Sequence, residues 1–319
     1  MHSIGTPTLW LLFTLLVAVA VSVDILKMRD RGDHHVGVRE ALWWVALWVG
    51  LAMLFNLGLW WHLREVLPTR QANEIALMFL TGYALEKALA VDNLFVFLLL
   101  FVQFAVPPER RQRVLVYGVI GAIVLRTLMI FLGAALVARF HWVLTGFGLL
   151  LVLSGLRMAW VADKAPSLER SWALRLLSRT LRLTPDYHGE RFVVLIDGVR
   201  HYTPLFLVMA MIAMTDVIFA VDSIPAIFAV TTDPYIVLTS NVLAVLGLRP
   251  MFFLLASMAD RFHLLNYGLA FVLVFIGLRM LLAEVIVVPV GVALAVIALA
   301  VGSAMLLSVL CPRKDSVPG

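Results

Sequence analysis

The chain is poor in everything that a water-soluble protein of its size needs. Only 14% of its 319 residues are charged, against about 25% in a typical soluble domain. It has too little polar side chain to cover a water-facing surface, so lipid must be its main solvent. It has one cysteine, Cys311, which excludes a disulfide framework, a CxxC redox pair and a cysteine-rich metal site. Its eight histidines fall mostly in loops or at span ends and form no pair at ligand spacing, which argues against a zinc or copper centre. The short alternating segments of an outer-membrane barrel are missing too. The first apolar run, 8–26, has no Lys or Arg before it, whereas Lys27, Arg29 and Arg31 follow it. A cleavable signal has the opposite polarity, so an uncleaved first span with an outside N-terminus is expected.

What is present is long apolar sequence: 62% of residues are hydrophobic and the mean hydropathy is +0.99. The runs are near the ~20 residues that a helix needs to cross the hydrocarbon core. They predict an all-α polytopic membrane protein of about nine spans: 8–26, 40–62, 75–103, 114–138, 141–160, 203–230, 235–256, 264–283 and 289–310. With the N-terminus outside, seventeen Lys and Arg fall on inside segments and three on outside loops. The positive-inside rule then places the C-terminus inside. This accounts for the net charge of +5 without nucleic acid as a partner. Trp43, Trp44, Trp60, Trp61, Trp142 and Trp160 lie near span ends, where indoles anchor at headgroups. These features suit a multi-pass protein of a bacterial inner membrane. The oligomeric state is open.

The longest loop, 161–202, is cytoplasmic in this reading. Its first half sets Arg175, Arg179 and Arg182 on one helical stripe and Trp172, Leu176 and Leu177 largely on another. That pattern suits either a helix on the anionic leaflet or a solvated linker. The second half, "RFVVLIDGVRHYT", predicts a hairpin about Asp197-Gly198, a dipeptide suited to tight turns.

The sequence also repeats itself. "EKALAVDN" (86–93) matches "DVIFAVDS" (216–223), "VLRTLMIF" around Arg126 matches "GLRPMFFL" around Arg249, and "GLRM" at 155–158 recurs at 277–280. The three matches keep their order, one per span, at offsets of 130, 123 and 122. They predict two three-helix repeats, 75–160 and 203–284, within a single membrane domain, with 289–310 as a last span. An odd number of spans per repeat inverts the second copy, the architecture of many secondary transporters with midplane sites.

Within the spans lie the acids Asp24, Glu86, Asp92, Asp216 and Asp222 and the bases Lys87, Arg126, Arg157, Arg249 and Arg279. Each isolated charge at a helix centre costs roughly 2.5–3.5 kcal/mol, so ten would cost about 30 kcal/mol, above the ~5–15 kcal/mol stability of a domain. They must be paired, hydrated or bound to an ion. In a structural reading the acids pair with Arg or Lys and lock helices together. In a functional reading Glu86, Asp92, Asp216 and Asp222, with the Asn93 amide, hold a cation. Residues i and i+6 of a straight helix point about 120° apart, so a shared ion requires local unwinding. Pro225 would provide it by removing a hydrogen bond to the Val221 carbonyl. Such oxygen donors suit Mg, Ca or Mn. Met209, Met211 and Met214 are either packing residues or soft ligands. Arg126 and Arg249 sit deep enough to pair with acids, while Arg157 and Arg279 suit snorkelling to headgroups. Lys87 is a counter-ion or a gate, and Asp24 has no decided role. Metal and protons compete for carboxylates, which makes proton antiport the expected coupling, with Asp24, Lys87, Arg126 and Arg249 as possible proton-coupling or pairing groups.

"FLTGYALEKALAVDNLFVF", "VLVYGVIGAIVLRTLMIF" and "TDVIFAVDSIPAIFAVTTDPYIVLTSNVLAVLGLRPMFFLL" closely resemble the TerC family, in particular its alkaline-inducible Alx branch. The resemblance runs from Gly5 to about the last span and is weakest over 161–202. It implies a transporter, not an enzyme, that exports Mn²⁺ as substrate and holds no permanent cofactor. Its acidic positions fall on Glu86, Asp92, Asp216 and Asp222, and its first-span acid on Asp24. The alternatives are a membrane scaffold or insertion and metallation factor with structural charges and, more remotely, a tellurium-resistance determinant or a calcium or other cation exchanger.

Overall fold

The computed structural model describes residues 3–30, 37–140, 142–161, 177, 180–196, 198–256, 264–283, 285–286 and 288–310. Among them are ten α-helices and one hairpin. The order is α1 (Pro7–Asp30), α2 (Val38–Val66), α3 (Thr69–Gln103), α4 (Pro108–Arg139), α5 (Trp142–Val161), β1 (Val193–Ile196), β2 (Val199–Tyr202), α6 (Pro204–Phe228), α7 (Pro234–Leu246), α8 (Leu248–Ala256), α9 (Leu265–Leu281) and α10 (Val290–Leu310).

The expected count of nine spans is too high. Six helices are long and apolar enough to cross a membrane: α1, α2, α4, α5, α6 and α10. A seventh is reached if α7 and α8, bent by 44° at their junction, count as one. Charge and length explain the shortfall. Arg70, Glu74, Glu86, Lys87 and Asp92 leave no 18-residue stretch of α3 with fewer than three charges. The 17 residues of α9 rise only about 25 Å at 1.5 Å each, short of a ~30 Å hydrocarbon core.

Helix starts follow local chemistry. Thr203 caps α6, its Oγ1 accepting from the Phe206 amide, and Pro204 occupies the first turn, where its missing N–H costs nothing. Asp233 caps α7 through the Tyr235 and Ile236 amides, again followed by proline. Its second oxygen accepts from the Ile4 amide at 2.8 Å, which ties the start of the chain to the start of α7. The other expected break is displaced. α6 runs on through Pro225 to Phe228, because the proline stands in its last turn. The interruption comes at Gly247, between α7 and α8.

α7 is the axis of the bundle. Every residue from Tyr235 to Leu246 is buried, and α3, α4, α2 and α1 pack around it. Outward faces elsewhere are apolar, with Leu11, Leu54, Leu128 and Leu299 well exposed, as lipid-facing residues are. α5 and α9 pack antiparallel on small residues. A Cβ on Gly155 would lie 2.7 Å from the Ala270 carbonyl oxygen, and one on Gly277 would lie 2.7 Å from that of Gly148. These contacts interchange under the repeat offset: 148 corresponds to 270 and 155 to 277. β1 and β2 form the hairpin, with Gly198 at φ 75° in its turn. The amphipathic stretch before it falls largely outside the described residues.

Candidate functional site

Arg126 projects from α4 into the centre of the bundle and is fully buried. Its Nε donates to Asp216 Oδ2 at 3.0 Å and its Nη2 to Asp216 Oδ1 at 2.7 Å. This is the two-pronged carboxylate grip that a guanidinium favours. Nη1 donates to Glu86 Oε1 and, at 3.4 Å, to Asn241 Oδ1. Asn241 Nδ2 closes the ring by donating to Glu86 Oε2 at 2.9 Å. One arginine therefore joins α3, α4, α6 and α7, and it holds two acids that correspond under the repeat.

The other sequence-selected residues are dispersed. Asp222, six residues beyond Asp216, is half-buried and accepts from Ser154 Oγ on α5 at 2.7 Å. Asn93 is buried on α3. Asp92 lies on α3, and its side chain is outside the described set. Arg249, the repeat counterpart of Arg126, turns instead to α1. It faces Asp24 Oδ1 at 3.4 Å and donates to the Asp24 carbonyl at 3.2 Å. Lys87 places its amine beside Gly247 and 5.8 Å from the centre of the Tyr83 ring. Arg279 does not reach for headgroups. It donates to the Ala229 carbonyl at 3.1 Å and the Val288 carbonyl at 3.2 Å, stapling the end of α6 to the segment before α10. Met211 is buried, and Met209 and Met214 pack against the same core.

Three contributors escaped the sequence reading. Asn241 completes the clamp, Ser154 binds Asp222, and Ser223 is buried with no hydrogen-bond partner for its Oγ among the described residues. Asn241 was findable: Thr239-Ser240-Asn241 is a polar run inside an apolar helix, and lipid gives such residues no reason to persist unless they face partners. Chemically, the clamp is a set of oxygens already occupied by guanidinium and amide donors. Among the described residues no group of three His, Cys, Asp or Glu side chains stands ready to hold a metal ion.

Comparison with known proteins agrees with this membrane architecture. Residues 71–316 match the model of the integral membrane protein TerC family. The chain is 49% identical over 297 residues to the "Putative membrane-bound redox modulator Alx" of Salmonella typhi, covering 93% of this chain and 92% of that one. It is 48% identical to the protein of the same name in Escherichia coli K12, with the same coverage. An uncharacterized membrane protein of Myxococcus xanthus is 41% identical over 98% of this chain and 95% of its own. No solved structure matches.

Proposed function

The chain belongs to the TerC family of integral membrane proteins, in its Alx branch, and from that premise we propose that it works as a membrane scaffold, or an insertion and metallation factor, whose buried charges hold the bundle together. The observation that carries this reading is the Arg126 clamp. Glu86 and Asp216 spend their oxygens on Arg126 and Asn241, so the strongest pair of buried acids is engaged in joining helices. The relatives' name speaks of redox modulation. With one cysteine, this chain closes no internal disulfide.

A second reading is export of Mn²⁺ by proton antiport, and Asp222 favours it. This acid lies outside the clamp and accepts from a serine hydroxyl. Its neighbour Ser223 has a free buried oxygen, and Asn93, the repeat counterpart of Ser223, is buried as well. All are hard oxygen donors of the kind Mn²⁺ accepts. The interchangeable α5–α9 contacts support two repeats related by a two-fold axis.

Cellular manganese separates the two. Overexpression leaves Mn content and tolerance unchanged if the protein is a scaffold, and that is the expected result. A fall in Mn content that Asp222→Asn abolishes, with the protein still folded and inserted, would replace this reading with export.

A further inference from the structure

Lysines in membrane helices normally bury the stem and raise the amine towards water. Lys87 does the reverse. Its residue is only half-buried, yet its Nζ is shut in and has no hydrogen-bond partner among the described residues. Glu86 does not serve it. Adjacent residues on a helix point about 100° apart, and both Glu86 oxygens are held by Arg126 and Asn241. Two more unpartnered buried groups surround it. Tyr83, one turn earlier on α3, offers its hydroxyl, and Trp48 on α2 offers its indole N–H. The Lys87 amine and the Trp48 side chain lie against the α7–α8 bend, and the Tyr83 ring is centred 5.8 Å from the amine. A Cβ on Gly247 would fall 2.5 Å from Lys87 Nζ and 3.2 Å from Trp48 Cβ, so only glycine leaves the amine its place.

All three groups can donate a hydrogen bond, and the lysine can carry a positive charge. Buried donors without acceptors are rare and call for an explanation, the more so where no bulk water reaches. The C-terminal end of α7 favours a positive charge nearby, which accounts for the direction of the lysine but supplies it with no acceptor. The ammonium disfavours a metal ion at this spot. A planar oxyanion would call for a guanidinium fork, which the spot lacks. We propose that Lys87, Tyr83 and Trp48 bind a small monovalent anion of the halide class at the Gly247 bend.

The test uses the full chain in nanodiscs, with thermal unfolding followed in sodium chloride, bromide and gluconate at one ionic strength. Chloride and bromide should raise the unfolding temperature saturably over gluconate. At about 100 times its dissociation constant, a bound anion lowers the unfolded-to-folded ratio roughly 100-fold. Lys87→Gln and Gly247→Ala should each remove the difference. Gly121→Ala, which meets nothing within 4 Å, should keep it. Iodide should quench wild-type fluorescence saturably, and Trp48→Phe should lose that component. If Lys87→Gln does not fold, Gly247→Ala and Tyr83→Phe decide, since both keep the charge. The absence of a halide effect in the wild type overturns the proposal, as does an undiminished effect in these variants. Neither readout depends on manganese transport.

Discussion

A buried arginine between two acids is costly to disturb from one side only. Removing one partner of a buried charge set typically costs about 3–5 kcal/mol, whereas replacing the whole set with neutral groups is often tolerated. Arg126→Met should therefore lower the thermal stability of the purified protein by that order. The triple variant Arg126→Met, Glu86→Gln, Asp216→Asn should recover most of the loss. Arg249→Met should cost less, because its ion pair with Asp24 is longer and partly exposed. Every one of these charges was visible in the sequence, since a charge in an apolar run announces itself. Their partners were not. Equivalent positions in the two repeats suggest equivalent pairings, yet Arg126 takes acids from both repeats and Arg249 takes one from neither. That choice is made by packing, through α1 lying against the outside of the repeats.

At the scale of elements, glycines divide into two kinds that look alike in sequence. Gly155 and Gly277 let α5 and α9 touch backbone to backbone. Gly121 sits in an α4 helix with open space beside it. Gly277→Val should force the helices apart and cost about 1–3 kcal/mol, as overpacking does. Gly121→Ala should be neutral or gain up to roughly 1 kcal/mol from helix propensity. Unfolding midpoints of the two variants, measured side by side in one detergent, should move in opposite directions or not at all for Gly121→Ala; a loss there equal to that of Gly277→Val would refute the distinction. The "GLRM" repeat pointed at two of these glycines but not at their contact. Helix breaks were less legible. Pro225 is the stronger breaker in isolation, but a proline near a helix end interrupts little, whereas Gly247 yields because the α7–α8 segment must bend around its neighbours. The span count failed because the charges of α3, though legible, read as a buried site inside a span, and because 264–283 reads as longer than the 17 residues of α9.

Across the whole molecule, the clamp imposes an order in time. Glu86 lies 40 residues before Arg126, Asp216 lies 90 after it, and Asn241 lies 115 after it. During synthesis Arg126 meets Glu86 first and holds it alone while the 90 residues up to Asp216 are made. Asp216 then joins, and Asn241 closes the ring last. The half-built centre is a single ion pair, and each later arrival draws a newly made helix inward. A translation-arrest sensor fused at successive lengths should record a pulling event as Asp216 reaches the bilayer and another as Asn241 does. Arg126→Met should erase the first of these. If both persist in that variant, the apolar faces alone recruit α6 and α7, and the charges merely settle in afterwards. On the order argued here, the ribosome delivers the acid first, the base second and the remaining partners in sequence, so the centre of the protein is assembled from its earliest residues outward.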